Sequence, residues 1–123
     1  MESTPEQENA PMRCVVLESP YAGDIERNVA YARDCLRHSL SLGEAPIASH
    51  LLYTQVLDDD VPSERSHGIA AGTSWNAIAD AIVVYTDLGI TKGMEEGILR
   101  ARRHGKTIEF RSLEEDKSRD TIF

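Results

Sequence analysis

The side chains best suited to chemistry cluster in short glycine-containing stretches, and two carboxylates stand out among them. The stretch Thr86-Asp87-Leu88-Gly89-Ile90-Thr91-Lys92-Gly93-Met94-Glu95-Glu96-Gly97 follows an apolar run and leads into a helical pattern. Asp87 ends the run, and Glu95 falls in the first turn of the expected helix. A helix dipole favours an ionised carboxylate there by roughly 0.3–1 kcal/mol. An ionised carboxylate at the carboxyl edge of a strand is what nucleophilic attack on a sugar C1 requires. A glutamate in a first turn also stabilises its own helix, and Glu96 suits that role better than Glu95. Gly89, Gly93 and Met94 are the residues of this loop able to approach a ligand.

A second constellation is Glu18-Ser19-Pro20-Tyr21-Ala22-Gly23-Asp24. It joins a strand to a helix start, where free backbone N–H groups and the positive dipole end can meet a phosphate or a sugar hydroxyl. Ser19 can donate, Tyr21 can stack or hydrogen-bond, and Gly23 allows close approach. An ordinary strand-to-helix turn capped by Asp24 has the same composition. It matches neither GxGxxG nor GxxxxGK[ST], so neither dinucleotide binding nor NTPase chemistry is indicated. The third loop, residues 50–62, holds His50, Tyr53, Gln55 and the run Asp58-Asp59-Asp60. His50 directly follows a strand and is its best polar candidate, with Tyr53 beside it. The aspartates read as a solvated turn. Trp75 suits a core or an interface better than a stacking platform.

The elements that must position these groups alternate. Met12–Leu17 reads as a strand. Asp24–Leu42 carries Ile25, Val29, Ala32, Leu36 and Leu40 at spacings of three and four, an amphipathic helix with Asp24 as N-cap and Gly43 as its stop. Ala45–Ser49 is a second strand, 50–62 a loop, and Ser63–Ala79 a helix capped by Ser63. Ala81–Thr86, apolar on both faces, is a buried parallel strand. Gly93–His104 is a helix and Thr107–Arg111 a last strand. This order predicts an α/β fold, a small doubly wound (flavodoxin- or Rossmann-like) parallel sheet of about four to five strands flanked by helices. Ligands of such sheets bind at the carboxyl ends of the strands, where the three loops lie.

Composition narrows the rest. The chain has 123 residues, 41% of them apolar, and suits one domain. Residues 1–11 and 114–123 are polar or charged and read as tails around a domain at 12–113. The start has no basic region followed by an apolar one, and no run is long enough for a membrane span, so a cytoplasmic protein is expected. With 13 basic and 21 acidic residues the net charge is −8, which argues against gripping polymeric nucleic acid but not against a small nucleotide. The two cysteines, Cys14 and Cys35, read as reduced, at least one of them buried. His38, His50, His67 and His104 show no ligand spacing, so neither metal nor cofactor is expected.

Three segments together, SPYAGDIERNVAYAR, ASHLLYTQVLDD and ADAIVVYTDLGITKGMEEGILRARRHGKTIEF, resemble the nucleoside 2-deoxyribosyltransferase-like superfamily over about residues 12–111. The nearest likeness is to small, mostly uncharacterised members found in phages and bacteria. The resemblance implies a glutamate nucleophile at Glu95, through the Glu-x-Gly that ends at Gly97. It implies transfer of deoxyribose between bases, or hydrolysis of the N-glycosidic bond of deoxynucleosides or their 5′-monophosphates, with retention at the sugar. A protein acid or water would protonate the leaving base, and water or a second base would resolve the glycosyl-enzyme. It also implies a homodimer or higher homo-oligomer, with Trp75 or the C-terminal tail at the interface. An aspartate of the family falls near Gly72, so the general acid would pass to Asp87 or His50, since Asp80 precedes its strand. Arg27 or Lys92 would meet a phosphate. A non-catalytic nucleotide-binding or sensing module on the same fold is the alternative, and an interaction protein working through its acidic surface a further one.

Overall fold

The computed structural model describes residues 11–114. The strands are β1 (Arg13–Glu18), β2 (Glu44–Ile47), β3 (Ala81–Tyr85) and β4 (Ile108–Arg111). They form one parallel sheet in the order β2-β1-β3-β4. The helices are α1 (Ile25–Ser41), the short α2 (Ser49–Leu52), α3 (Pro62–Asn76) and α4 (Lys92–Arg103), with a 3-10 turn at Tyr53–Gln55. The α/β class and doubly wound parallel sheet read from the sequence are thus what the chain forms. The connection from β1 runs to one side and that from β2 crosses to the other, so the order reverses between β1 and β3. Ligands of open α/β sheets bind at such a reversal.

Strand alternation divides the core into two layers. Val15, Leu17, Ala81, Val83 and Tyr85 pack with Tyr31 and Cys35 of α1. Val16, Ile82 and Val84 pack with Met94, Ile98 and Ala101 of α4 on the other face. β3 is buried along its whole length, as its unbroken apolar sequence requires. Pro46 is tolerated because β2 is an edge strand. Cys35 is buried and Cys14 exposed, and both are free thiols. Burial pushes the Cys35 thiol up to about 12.

On the α1 face, Glu44 accepts both arms of the Arg111 guanidinium at 2.7 Å, Arg13 at 2.9 Å and Ser39 Oγ at 2.8 Å. Chiefly through the Arg111 hydrogen bonds, the Glu44 carboxyl is held down near a pKa of about 2. Arg13 and Arg111 also pair with Glu109.

Several boundaries differ from those the sequence predicts. β1 extends through Glu18, which moves that residue from loop to strand end. β2 begins at Glu44 and ends at Ile47, before Ser49. The expected loop 50–62 opens with α2 and the 3-10 turn, because residues 49–55 can make local backbone bonds without a long apolar period. Ser63 is not the cap of α3: Pro62 takes the first turn, where its missing N–H costs nothing, and Val61 precedes it. Asp24 does cap α1, accepting from the Arg27 amide at 3.2 Å. Thr91 caps α4, with Oγ1 accepting from the Met94 amide at 3.2 Å. The segments 1–10 and 115–123, which hold most of both expected tails, lie outside the described residues.

Candidate functional site

A cleft of about 350 Å³ opens beside the carboxyl end of β1, between α3 and α4. That is within the size range of small-ligand sites. β1 contributes Val16 and Glu18, and the turn after it Ser19 and Tyr21. α2 and its continuation contribute Ser49, His50 and Tyr53. α3 presents one face, Arg65, Ile69, Gly72, Thr73 and Asn76, at helical spacing. α4 contributes its first turn, Lys92 to Met94, and then Glu96, Gly97 and Arg100.

Glu18 is the most perturbed acid here. Strand alternation puts it on the same face as Val16, toward α4. Its carboxyl lies against Gly97, where an added Cβ would come within 2.9 Å of Oε1. Among the described residues no hydrogen-bond donor meets the carboxyl. Desolvation pushes its pKa up to about 7, against the attraction of Arg100. Shifts of this kind concentrate at functional sites.

Beside it, Ser19 Oγ and His50 Nε2 share a hydrogen bond at 2.7 Å. Burial lowers the His50 pKa to about 4, so the ring is neutral at pH 7. Thr54 Oγ1 donates to the His50 carbonyl at 2.7 Å and steadies the short helix. Tyr53 OH accepts from Trp75 Nε1 at 2.8 Å, tying the 3-10 turn to α3. Gly72 is needed for the same approach, since a Cβ there would lie 2.6 Å from Ser49 Oγ.

The cleft therefore gathers Ser19, Tyr21, His50, Tyr53, Gly93 and Met94 from the residues the sequence singles out, and Lys92 with them. It does not gather Glu95, Asp87, Gly23 or Gly89. Glu95 is exposed, and its neighbour Glu96 is the one on the cleft. The helical step of 100° per residue separates them. Asp87 is committed elsewhere. It accepts from Tyr31 OH at 2.6 Å, Ser112 Oγ at 2.8 Å and the Leu113 amide at 3.1 Å. Burial raises the Asp87 carboxyl, but these bonds outweigh it and hold the pKa below the usual range. Gly23 and Gly89 adopt positive φ, 102° and 85°, and serve turn geometry. Asp80 accepts from the Cys14 amide at the opposite end of the sheet. Arg27 is exposed and off the cleft.

Sequence reasoning missed Glu18, Arg65, Asn76 and Arg100. The signal for Glu18 was the alternation of β1. For the α3 residues it was their spacing of three and four. Among the described residues no group of three acidic, histidine or cysteine side chains is placed to hold a metal ion. No helix among them is long and apolar enough to cross a membrane.

Residues 13–111 match the family model described as Domain of unknown function (DUF7768). The chain belongs to that family. No curated protein matches it in sequence. Among solved structures it is similar to a 2-deoxyribosyltransferase from the psychrotolerant bacterium Bacillus psychrosaccharolyticus, described as a biocatalyst for the synthesis of antiviral and antitumoral nucleosides. The TM-score is 0.60 at 17% identity, with 80% of this chain and 72% of that chain covered. The DUF7768 domain therefore shares its fold with that enzyme.

Proposed function

We propose that the protein cleaves or exchanges the N-glycosidic bond of deoxynucleosides or deoxynucleoside 5′-monophosphates, with Glu18 as the nucleophile. The single observation that carries this reading is the Glu18 carboxyl: without a hydrogen-bond donor among the described residues, poorly solvated and open to a nucleoside-sized cleft at the sheet's reversal point. A carboxylate with raised proton affinity is a stronger nucleophile once ionised. Glu18 bonds to C1′ as the bond from C1′ to the base nitrogen breaks. The electron pair leaves with the base, which is protonated from water in the cleft. Water or a second base then attacks C1′ and frees the carboxylate. Ser19 and the neutral His50 hold the sugar through its hydroxyls. Arg65 and Lys92, at the starts of α3 and α4, meet a 5′-phosphate at the cleft mouth.

The shared fold with a 2-deoxyribosyltransferase supports the choice of substrate. The family resemblance implies Glu95 as the nucleophile. We assign that role to Glu18 instead, because Glu95 faces away from the cleft. We further propose that the protein works as a homo-oligomer. Leu52, Val56, Trp75 and Ile78 are all at least 38% exposed around the end of α3 and the 3-10 turn, an apolar surface suited to a second copy.

The test is base release. Each of the four common deoxynucleosides and their 5′-monophosphates is incubated with wild type, Glu18→Gln and Glu95→Gln, and free bases are separated by chromatography. Release by wild type and Glu95→Gln, lost in Glu18→Gln, is the expected result. Release lost only in Glu95→Gln overturns the assignment. The placement of Glu95 outside the cleft also favours a second reading, a nucleotide-binding module without turnover. Binding with no release from any of the eight substrates would establish that one.

A further inference from the structure

Asn76 is 4% exposed and lines the cleft, yet among the described residues its carboxamide makes no hydrogen bond. Arg100 Nε is buried and likewise without a partner. Both lie at one end of the cleft. α3 and α4 each follow a strand and lead into the next parallel one, so both run back along the sheet. Their first turns, with Arg65 and Lys92, are at the mouth. Asn76, on the last turn of α3, and Arg100, on the third turn of α4, lie at the other end, toward the amino ends of the strands.

Buried polar groups in folded proteins are nearly always paired, because an unpaired one forfeits its bonds to water. Asn76 is nearly enclosed as a residue, yet its amide stays open to the cleft and meets no protein partner among the described residues, so a ligand in the cleft can engage both arms. The chemistry of that ligand follows from theirs. A carboxamide offers a donor beside an acceptor, and its complement is an edge with an acceptor beside a donor. The Arg100 guanidinium also lines the cleft and adds donors through its terminal nitrogens, its Nε being enclosed by protein. A phosphate has no donors to give, and the exposed-end cations are better placed for it. A sugar hydroxyl engages only one arm of the amide. The edge of a nucleobase meets both arms and leaves an acceptor for Arg100. The surrounding apolar side chains, Val16, Ile69 and Met94, suit a flat heterocycle.

We propose that Asn76, with Arg100, forms the base-reading subsite of the cleft and sets base specificity through the exocyclic amino or oxo group. This rests on the glycosidic reading above and orders the substrate along the cleft: base at Asn76, sugar at Glu18, phosphate at the mouth.

The test is a binding cycle. Trp75, the only tryptophan of the chain and the neighbour of Asn76, supplies a fluorescence signal, and calorimetry supplies a second. The common deoxynucleoside that wild type binds most tightly is compared with its analogue lacking the exocyclic group. Wild type is expected to prefer the complete base by about tenfold or more, the size of one good amide–base pair. Asn76→Leu is expected to bind both equally at the weaker level. Asn76→Asp keeps the side-chain shape and loses the donor, and is expected to lose the preference as well. Glu18→Gln should keep it. A preference that survives in both Asn76 variants, or that wild type lacks, overturns the subsite while leaving base release to stand. Wild type that neither binds nor cleaves any of the eight substrates removes the subsite and the glycosidic reading together.

Discussion

A β-carbon on Gly97 would lie 2.9 Å from Oε1 of Glu18 and 3.1 Å from its carboxyl carbon. The carboxyl of the last β1 residue thus rests directly on the backbone of α4, in space that only glycine leaves open. Gly97→Ala is expected to push Glu18 out of this seat. Every atom that the new methyl meets belongs to the far end of the Glu18 side chain, which can swing aside at little cost to folding. The variant should melt close to wild type and lose base release. Thermal denaturation and the chromatographic assay read the two effects. A fully active Gly97→Ala protein would separate catalysis from the seating of Glu18.

Glu18 also gives stability a pH dependence of unusual sign. Its carboxyl shifts from 4.5 to about 7 on folding. Between those values the folded state holds the proton more strongly than the unfolded one, so stability is greatest on the acid side and declines as pH rises through the window. The loss amounts to at most about 3 kcal/mol. His50 acts oppositely, because its pKa falls from 6.5 to about 4 and the folded state gives up a proton as it forms. Subtraction isolates Glu18. The stability of Glu18→Gln relative to wild type should rise from pH 5 to pH 8, measured by denaturant unfolding at each pH. A difference that stays flat would place Glu18 in ordinary solvent.

The two carboxylates that the sequence brings forward should divide by role. Asp87 holds Tyr31, Ser112 and the Leu113 amide, and so ties the chain after β4 to α1. Asp87→Ala leaves those donors without their acceptor and is expected to cost about 1–3 kcal/mol. Glu95 is exposed, and Glu95→Gln should cost under about 1 kcal/mol, the size of a helix-dipole contribution. Its rate of base release should match wild type. Paired melting and turnover measurements on the two variants check this, and a stable but inactive Glu95→Gln would return the nucleophile to that residue.

How much of this was legible in the sequence follows from which patterns are local. The unbroken apolar run of β3 and the stop at Gly43 specify their elements directly, and the alternation of strand and helix gives the parallel sheet. Ser19, His50 and Lys92 were within reach because each sits just beyond a strand or at a helix start, where a doubly wound sheet collects its ligands. Glu18 was hidden by a boundary one residue long: read as loop it has no face, and read as strand it faces α4. Glu95 and Glu96 show the converse limit. Which of two adjacent helical residues turns toward a cleft depends on the docking of the helix, which is fixed by Met94, Ile98 and Ala101 against the sheet. Spacing alone places Asn76 on the cleft face of α3, but nothing local marks an amide that will lack a protein partner.

That missing partner makes a prediction about stability that runs against intuition for a buried polar residue. Two buried asparagines can be compared. Asn28, 2% exposed, has an unpaired Oδ1, but its Nδ2 donates to the carbonyls of Tyr21 at 2.9 Å and Ala22 at 3.1 Å. It therefore fixes the turn after β1, and Asn28→Leu strands two acceptors and should destabilise by about 1–3 kcal/mol. Asn76 anchors nothing among the described residues. Asn76→Leu removes an amide that opens onto the cleft and leaves no protein partner behind, so its cost to folding is small. We expect a change in stability of under about 1 kcal/mol, with a Tm shift below about 4–8 °C for a domain of this size. The same variant should bind nucleosides more weakly. Stability kept while binding is lost is the signature of a residue kept for its ligand. A Tm lowered by more than this in Asn76→Leu would mean that the amide has a structural partner, and the base-reading role would lose its ground.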